Sequence, residues 1–156
     1  MRRTRFNDWH CSIARTIDLM GDAWTPLVLR EAFYGKRRFE EFLERLGISR
    51  NLLTIRLKNL VKEDLLVKVK YQERPPRYEY KLTDKGRDFF NVLAAMMQWG
   101  DKWLDAGKGA PLELIDKNTG QVVQPLVVDA ATGQPFDVRN LTARPGPGFP
   151  KKKSAK

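Results

Sequence analysis

Apolar residues along this chain follow two periods, and the change from one to the other marks its elements. Ile13, Ala14, Ile17 and Met20 are spaced for one face of a short helix, which Gly21 ends. Asp22 is placed to cap a second helix built on Trp24, Leu27, Val28, Ala32 and Phe33, with Pro26 tolerated in its first turn. Phe39, Phe42, Leu43 and Leu46 recur every three or four residues and predict a third. Gly47 suits a left-handed C-terminal turn, and Ser49 is placed to accept from the free N–H groups of a fourth helix over residues 49–60. Leu53, Leu57 and Leu60 form the seam of that helix. The period then falls to two. Leu65, Val67, Val69 and Tyr71 alternate with Lys68 and Lys70, and Tyr78, Tyr80 and Leu82 alternate again, so residues 64–82 predict two strands joined by a stiff Pro75-Pro76 connection.

Thr83 is a cap for a last helix running to about residue 104, although Gly86 weakens its first turn by about 1 kcal/mol relative to alanine. Its apolar circumference is wider than one small domain buries, because Val92, Trp99 and Trp103 widen the face that Phe89 and Leu104 belong to. Phe89, Phe90, Leu93, Met96, Met97, Trp99, Gly100 and Trp103 are therefore assigned to an interface with a second copy. Beyond it, Asp116-Lys117-Asn118-Thr119-Gly120-Gln121 is echoed by Asp129-Ala130-Ala131-Thr132-Gly133-Gln134, a spacing of 13 residues. Each repeat reads as a strand, an aspartate-started turn and a glycine that accepts positive φ, so two turns should order three short strands. A meander that small needs support, and packing across the dimerisation helices or a neighbouring subunit is expected.

The organisation that follows is a basic N-terminal arm at residues 1–8, a principal domain at 9–104 and a linker at 105–111. A repeated β-hairpin extension at 112–143 and a disordered basic tail at 144–156 complete it. The fold class is mainly α with a small β wing, a winged helix-turn-helix with a C-terminal β-hairpin extension.

Charge then narrows the function. A net charge of +10 and a pI of about 9.9 point to an anionic partner. The basic residues accompany a helix, a short turn and a second helix with hardly any acid on its polar face, which favours double-stranded DNA over a membrane. Arg50, Asn51 and Arg56 are the first candidates for the DNA-facing side of the recognition helix. Asn51 has the paired hydrogen bonds that suit adenine and Arg50 those that suit guanine. Arg56, next to Leu57, is alternatively placed to reach the backbone from the helix flank. Ser49, Thr54 and Lys58 read an edge or hold a phosphate. Lys36, Arg37 and Arg38 supply phosphate contacts beside the reading head, and Arg74 and Arg77 on the wing approach a minor groove or its phosphates. Arg2, Arg3 and Arg5 on the arm read either as contacts to phosphates or a minor groove or as a frayed terminus, and the lysines at 151, 152, 153 and 156 as a source of non-specific DNA affinity or of solubility alone.

A single cysteine excludes an intrachain disulfide. Cys11 reads either as a small buried hydrophobe or as a candidate sensor, close in sequence to His10, Arg15 and the N-terminal arginines, the basic surroundings that reactive thiols need. With one histidine and one cysteine there is no metal set, no glycine-rich phosphate loop follows a strand, and no serine has an evident base partner. No enzyme, metal or cofactor is expected. Residues 6–10 do not open an apolar signal segment and no stretch reaches the roughly 18 apolar residues of a membrane span, so a soluble, cytoplasmic protein is expected.

Several spaced motifs in one order now carry a resemblance. Residues 11–24, Leu29-Arg30-Glu31, Arg37-Arg38-Phe39, Gly47-Ile48-Ser49, Leu53-Thr54-Ile55-Arg56-Leu57, Pro75-Pro76-Arg77-Tyr78-Glu79-Tyr80 and Leu82-Thr83-Asp84-Lys85-Gly86 resemble the HxlR-type winged-helix transcriptional regulators, relatives of the MarR-like group. The resemblance covers about residues 9–103. It implies a cytoplasmic bacterial or archaeal regulator working as a homodimer on DNA; two symmetry-related reading heads suit an inverted-repeat operator, and modulation by a small molecule or an oxidant is the accompanying expectation. In some members a cysteine at the position of Cys11 acts as a thiol sensor, and in many others it has no established role. Two further readings stay open at this point: a non-specific architectural DNA binder, and a protein-interaction module on a winged-helix scaffold.

Overall fold

The computed structural model describes residues 5–6, 8–104 and 106–150. Arg2 and Arg3 and the lysines at 151, 152, 153 and 156 lie outside the described residues. Four helices come first: α1 (Ser12–Met20), α2 (Trp24–Phe33), α3 (Phe39–Leu46) and α4 (Arg50–Lys62). A ribbon of β1 (Leu66–Gln72) and β2 (Arg77–Leu82) follows, then α5 (Asp84–Asp88), α6 (Phe90–Trp103) and a short hairpin of β3 (Leu114–Ile115) and β4 (Val122–Val123). A single 3-10 turn at Val138–Asn140 lies beyond it.

The expected caps form. Asp22 Oδ1 accepts from the N–H groups of Trp24 at 3.0 Å and Thr25 at 3.2 Å. Gly47 takes φ +63° and its N–H donates to the Leu43 carbonyl at 2.9 Å, which closes α3 and turns the chain into α4. Ser49 Oγ accepts from the Leu52 N–H at 3.2 Å. The seam Leu53, Leu57 and Leu60 is buried with Val28, Leu29, Phe42, Leu65 and Leu66, and each of these side chains is worth about 1.5–3 kcal/mol for leaving water. Among the described residues one acid shares this interior. Glu31 is fully buried, with Arg30 Nη2 2.6 Å and Arg45 Nε 3.4 Å from its carboxylate, which ties α2 to the end of α3.

The ribbon is antiparallel, with Leu66 opposite Leu82, Lys68 opposite Tyr80 and Lys70 opposite Tyr78. Directly paired residues share a face, so the Tyr78, Tyr80 and Leu82 set lies with Leu66, Lys68 and Lys70. Val67 and Val69 occupy the other face, and the two apolar sets read from the sequence are on opposite sides of the ribbon. A third edge, absent from the sequence reading, comes from the corner before α3: Arg38 bridges to Glu79, and the Tyr80 N–H donates to the Arg37 carbonyl at 2.7 Å.

The last helix is not continuous. It breaks at Phe89, whose N–H is shared between the carbonyls of Lys85 and Gly86, separating α5 from α6. Thr83 still caps it, accepting from the Gly86 N–H at 3.0 Å and donating to the Asp64 carbonyl at 2.6 Å. Gly86 has a packing reason that its helix propensity conceals, because a Cβ there would collide with the Leu65 carbonyl. Phe89 and Leu93, assigned to a second-copy interface, are instead buried in this chain's own core, and Phe90 packs on Phe33 with ring centroids 4.9 Å apart. That corrects Phe89 and Leu93, since side chains buried in their own core are not open to a partner, while Phe90 stays half-buried beside Phe33.

The repeated turns are alike in their bonds. The Asp116 N–H donates to the Gln121 carbonyl and the Asp129 N–H to the Gln134 carbonyl, both at 2.9 Å, and Gly120 and Gly133 both take positive φ. Strand pairing surrounds only the first, with Ile115 opposite Val122 and Leu114 opposite Val123. Three strands were expected and two form. Pro135 stands in the second repeat where Val122 stands in the first, and a proline has no N–H to extend the ladder. The hairpin lies beside α6, and Leu114 and Val122 line a cleft of about 380 Å³ with Ala94 and Met97. The segment at 145–149, read as tail, returns to the start of α1, where the Phe149 ring is 6.2 Å from that of His10. Among the described residues no helix is long and apolar enough to cross a membrane, and no cluster of His, Cys, Asp and Glu could hold a metal.

Candidate nucleic-acid interface

The outward face of α4 follows from its seam. With Leu53, Leu57 and Leu60 turned into the core, Arg50, Asn51, Ile55, Lys58, Asn59 and Lys62 are exposed, Thr54 is half-buried among them, and the helix contains no acidic residue. Ile55, Asn59 and Lys62 on this face were missed by residue-type reasoning. The spacing from Asn51 marks all three, since they fall within a third of a turn of it or of Lys58.

Arg56 is placed elsewhere. At 3.6 residues per turn it lies roughly 160° round the helix from Lys58, on the inward side. Its Nη2 is 2.6 Å from Asp22 Oδ2, with the two side chains 17% and 27% exposed, and among the described residues its buried Nε has no hydrogen-bond partner. Asp22 thus caps α2 with one oxygen and holds α4 with the other. The position of Arg56 on the DNA-facing side is corrected by this orientation, as is its alternative at the helix flank.

Arg50 is exposed but engaged. Its Nη2 is 2.8 Å from each Glu40 carboxylate oxygen, and its guanidinium lies over the Phe39 ring at 5.5 Å. The Thr54 hydroxyl donates to the Arg50 carbonyl at 2.7 Å.

The corner before α3 gathers Lys36, Arg37 and Arg38. Glu41 Oε2 accepts from the N–H groups of Arg37 at 2.9 Å and Arg38 at 2.8 Å. Those two bonds, with the charges of Lys36 and Arg38 behind them, hold the Glu41 carboxyl below the usual glutamate range. Arg38 also lies over the Tyr71 ring at 4.9 Å, so corner and ribbon are one unit. Glu79 in that ribbon is held below the ordinary range by its bond from Lys81, 2.7 Å away, and by the charges of Lys81, Arg37 and Arg38. Lys68 sits over the Tyr78 ring at 4.1 Å. Arg74 and Arg77 are exposed at the ribbon tip, and the Arg74–Pro75 peptide bond is cis.

Away from this surface, Cys11 is exposed at the start of α1, its Sγ accepting from the Ala14 N–H at 3.5 Å. Ile13 and Ile17 on α1 and Met96, Trp99 and Trp103 on α6 are exposed. Ile17 and Met96 line one cleft of about 420 Å³ together with Phe6 and Met20, so the two helices present a joined apolar surface.

The model of the HxlR-like helix-turn-helix family matches residues 19–108. The uncharacterised HTH-type transcriptional regulator Rv3095 of Mycobacterium tuberculosis H37Rv is 42% identical over 138 residues, 88% of this chain and 87% of that protein. Among solved structures, PA1607 superposes with a TM-score of 0.81 at 38% identity, over 90% of this chain and 99% of its own. The redox regulator HypR in its reduced form superposes with a TM-score of 0.57 at 28% identity, over 63% of this chain and 98% of its own. Residues up to 108 cannot supply the coverage reached with Rv3095 and PA1607, so those likenesses extend into the segment that carries the repeated turns.

Proposed function

The chain belongs to the HxlR-like helix-turn-helix family of DNA-binding transcription regulators, and from that premise we propose that it acts as a homodimer binding an inverted-repeat operator sequence-specifically. The observation that carries the reading is the face of α4, exposed, without acid, and started by the Ser49 cap. A helix of this kind enters the major groove with its first turns toward the base edges. Asn51, Thr54 and Lys58 serve that face, Ser49 starts it, and Arg50 flanks it in its pair with Glu40. Lys36, Arg37 and Arg38 hold phosphates, and Arg74 and Arg77 take the neighbouring minor groove or its backbone.

Dimerisation is supported by the apolar surface that α1 and α6 leave open, with Met96, Trp99 and Trp103 its largest side chains. Met97 and Gly100 stand on the same helix, half-buried. A two-fold axis would set two reading heads about 34–36 Å apart, or a multiple of that, to match the inverted repeat. DNA affinity is proposed to respond to an effector, a small molecule or an oxidant. The exposure of Cys11 supports the thiol route, as does the likeness to HypR, a redox regulator. One thiol per chain restricts that route to a sulfenic acid, a mixed disulfide with a small thiol, or a bridge between subunits.

The test is binding of the purified protein to genomic fragments, followed by titration of any enriched site against random duplex at fixed salt, with reduced and Cys11-alkylated protein in parallel. A preference of about a thousandfold or more for an inverted repeat is expected. Uniform, strongly salt-dependent binding would refute sequence specificity in favour of an architectural role. Unchanged affinity after complete alkylation would remove Cys11 as the switch.

A further inference from the structure

The residues that open α4 decide which bases it can take. Arg50, Asn51, Thr54 and Ile55 make up the outward side of its first turn and a half, the part of a recognition helix that meets base edges. Arg50, whose paired donors suit guanine, is held by both oxygens of Glu40 and by the Phe39 ring. The Thr54 hydroxyl donates its proton to the Arg50 carbonyl, so it has no donor for a base edge, and its methyl group is its remaining apolar contact. Ile55 is 42% exposed, one turn after Asn51, in the middle of a face that is otherwise polar. A scattered exposed isoleucine means little on a general surface. Here it stands between Asn51 and Asn59, where a polar side chain would be expected on solvation grounds alone. One amide and two methyl-bearing side chains remain for direct readout. That set matches A·T pairs: asparagine bonds adenine N6 and N7 together, and apolar side chains pack on the thymine 5-methyl group.

We propose that α4 reads A·T base pairs in the major groove, with Asn51 on an adenine edge and the methyl groups of Ile55 and Thr54 against thymine 5-methyl groups. This rests on the reading of the chain as a sequence-specific DNA binder and adds the base composition at the centre of each half-site.

The experiment starts from duplexes that the purified full-length protein selects out of a random pool. Each thymine of the selected half-site is replaced in turn by deoxyuridine, which lacks only the 5-methyl group, and affinity is measured for the wild type, Ile55→Ala and Thr54→Ser. A·T pairs are expected under α4. Uracil at one or two of them should weaken wild-type binding by about fourfold each, the factor for one buried carbon group. The same replacement should be silent in the variant whose methyl partner has been removed. A half-site core of G·C pairs, or a selected site on which uracil is silent throughout, overturns the proposal and leaves sequence-specific regulation standing. Uracil that weakens the wild type and both variants alike also overturns it. Absence of any sequence preference overturns this proposal and the reading beneath it together.

Discussion

Replacing Arg56 with methionine should weaken the fold and leave DNA binding by the folded protein unchanged. The guanidinium is 2.6 Å from Asp22 Oδ2 and only 17% of the side chain is exposed, so the pair is screened by solvent far less than a surface bridge. A hydrogen bond to a charged group contributes about 1.5–3 kcal/mol, and the unpartnered Nε already subtracts part of that. Methionine keeps most of the packing along the aliphatic stem. The expected net loss is about 1–2 kcal/mol, or a fall of roughly 3–8 °C in Tm. Asp22→Asn should cost more, about 2–3 kcal/mol, because it leaves a mostly buried guanidinium without its counter-charge. The double variant should lose little beyond Asp22→Asn alone, giving a coupling of about 1 kcal/mol or more. Urea unfolding reads the stabilities, and fluorescence anisotropy on an operator duplex reads binding. Lys58→Ala is the control of opposite character: stability within about 0.5 kcal/mol of wild type, with affinity reduced and the salt slope shallower by about one. Wild-type stability in Arg56→Met together with a tenfold weaker complex would refute the reasoning, since the guanidinium would then have to leave Asp22 for the DNA.

Gly86→Ala should lower the urea midpoint by the equivalent of about 2 kcal/mol or more, although alanine is the better helix former by about 1 kcal/mol, because the added Cβ meets the Leu65 carbonyl; an unchanged midpoint would mean α5 can shift aside. Glu41 has a depressed folded pKa, so its contribution is fully present above the unfolded glutamate value and is lost as pH falls through the folded one. The stability gap between wild type and Glu41→Gln should therefore be flat above about pH 5 and shrink toward pH 3, and a gap that widens on acidification would contradict the assignment. On the homodimer reading, Trp99→Glu should yield a folded monomer in sedimentation with weakened operator binding, and an unaltered dimer would place the interface elsewhere.

What could be read from the residues alone divides by the range of the signal. Helices α1 to α4 were legible because each carries its own apolar seam, Gly21 and Gly47 end two of them, and Asp22, Gly47 and Ser49 make the bonds their residue types promised. The ribbon was legible as two strands, but which face each apolar set would occupy depends on register, and register depends on the irregularity between Lys70 and Gln72 that no alternation reveals. The break at Phe89 and the burial of Phe89 and Leu93 accompany a close approach of Gly86 to the Leu65 carbonyl, a contact between residues far apart in sequence that helical periodicity does not signal. The missing third strand was visible in principle, since Pro135 occupies the place of Val122 one repeat earlier.

The candidate site was misread at one position for an instructive reason. Residue type says what contacts a side chain can make, while helix phase says whether it is offered to solvent, and the place of Arg56 beside Leu57 pointed to the flank where its phase points further in. Its phase puts a permanent charge on the buried side of an amphipathic helix, which is stable only beside an acid. Asp22 has the complementary irregularity. As a cap it accepts the α2 N–H groups with Oδ1 alone, and a carboxylate so used keeps a second oxygen and most of its charge. Each residue, taken singly, is an incomplete arrangement, and a bond between Oδ2 and the guanidinium completes both. An inward arginine in one helix and a single-oxygen cap at the start of another therefore complete each other without any local sequence signal linking positions 22 and 56, and the pair adds a polar tie to an α2–α4 contact that the buried leucine seam already sets.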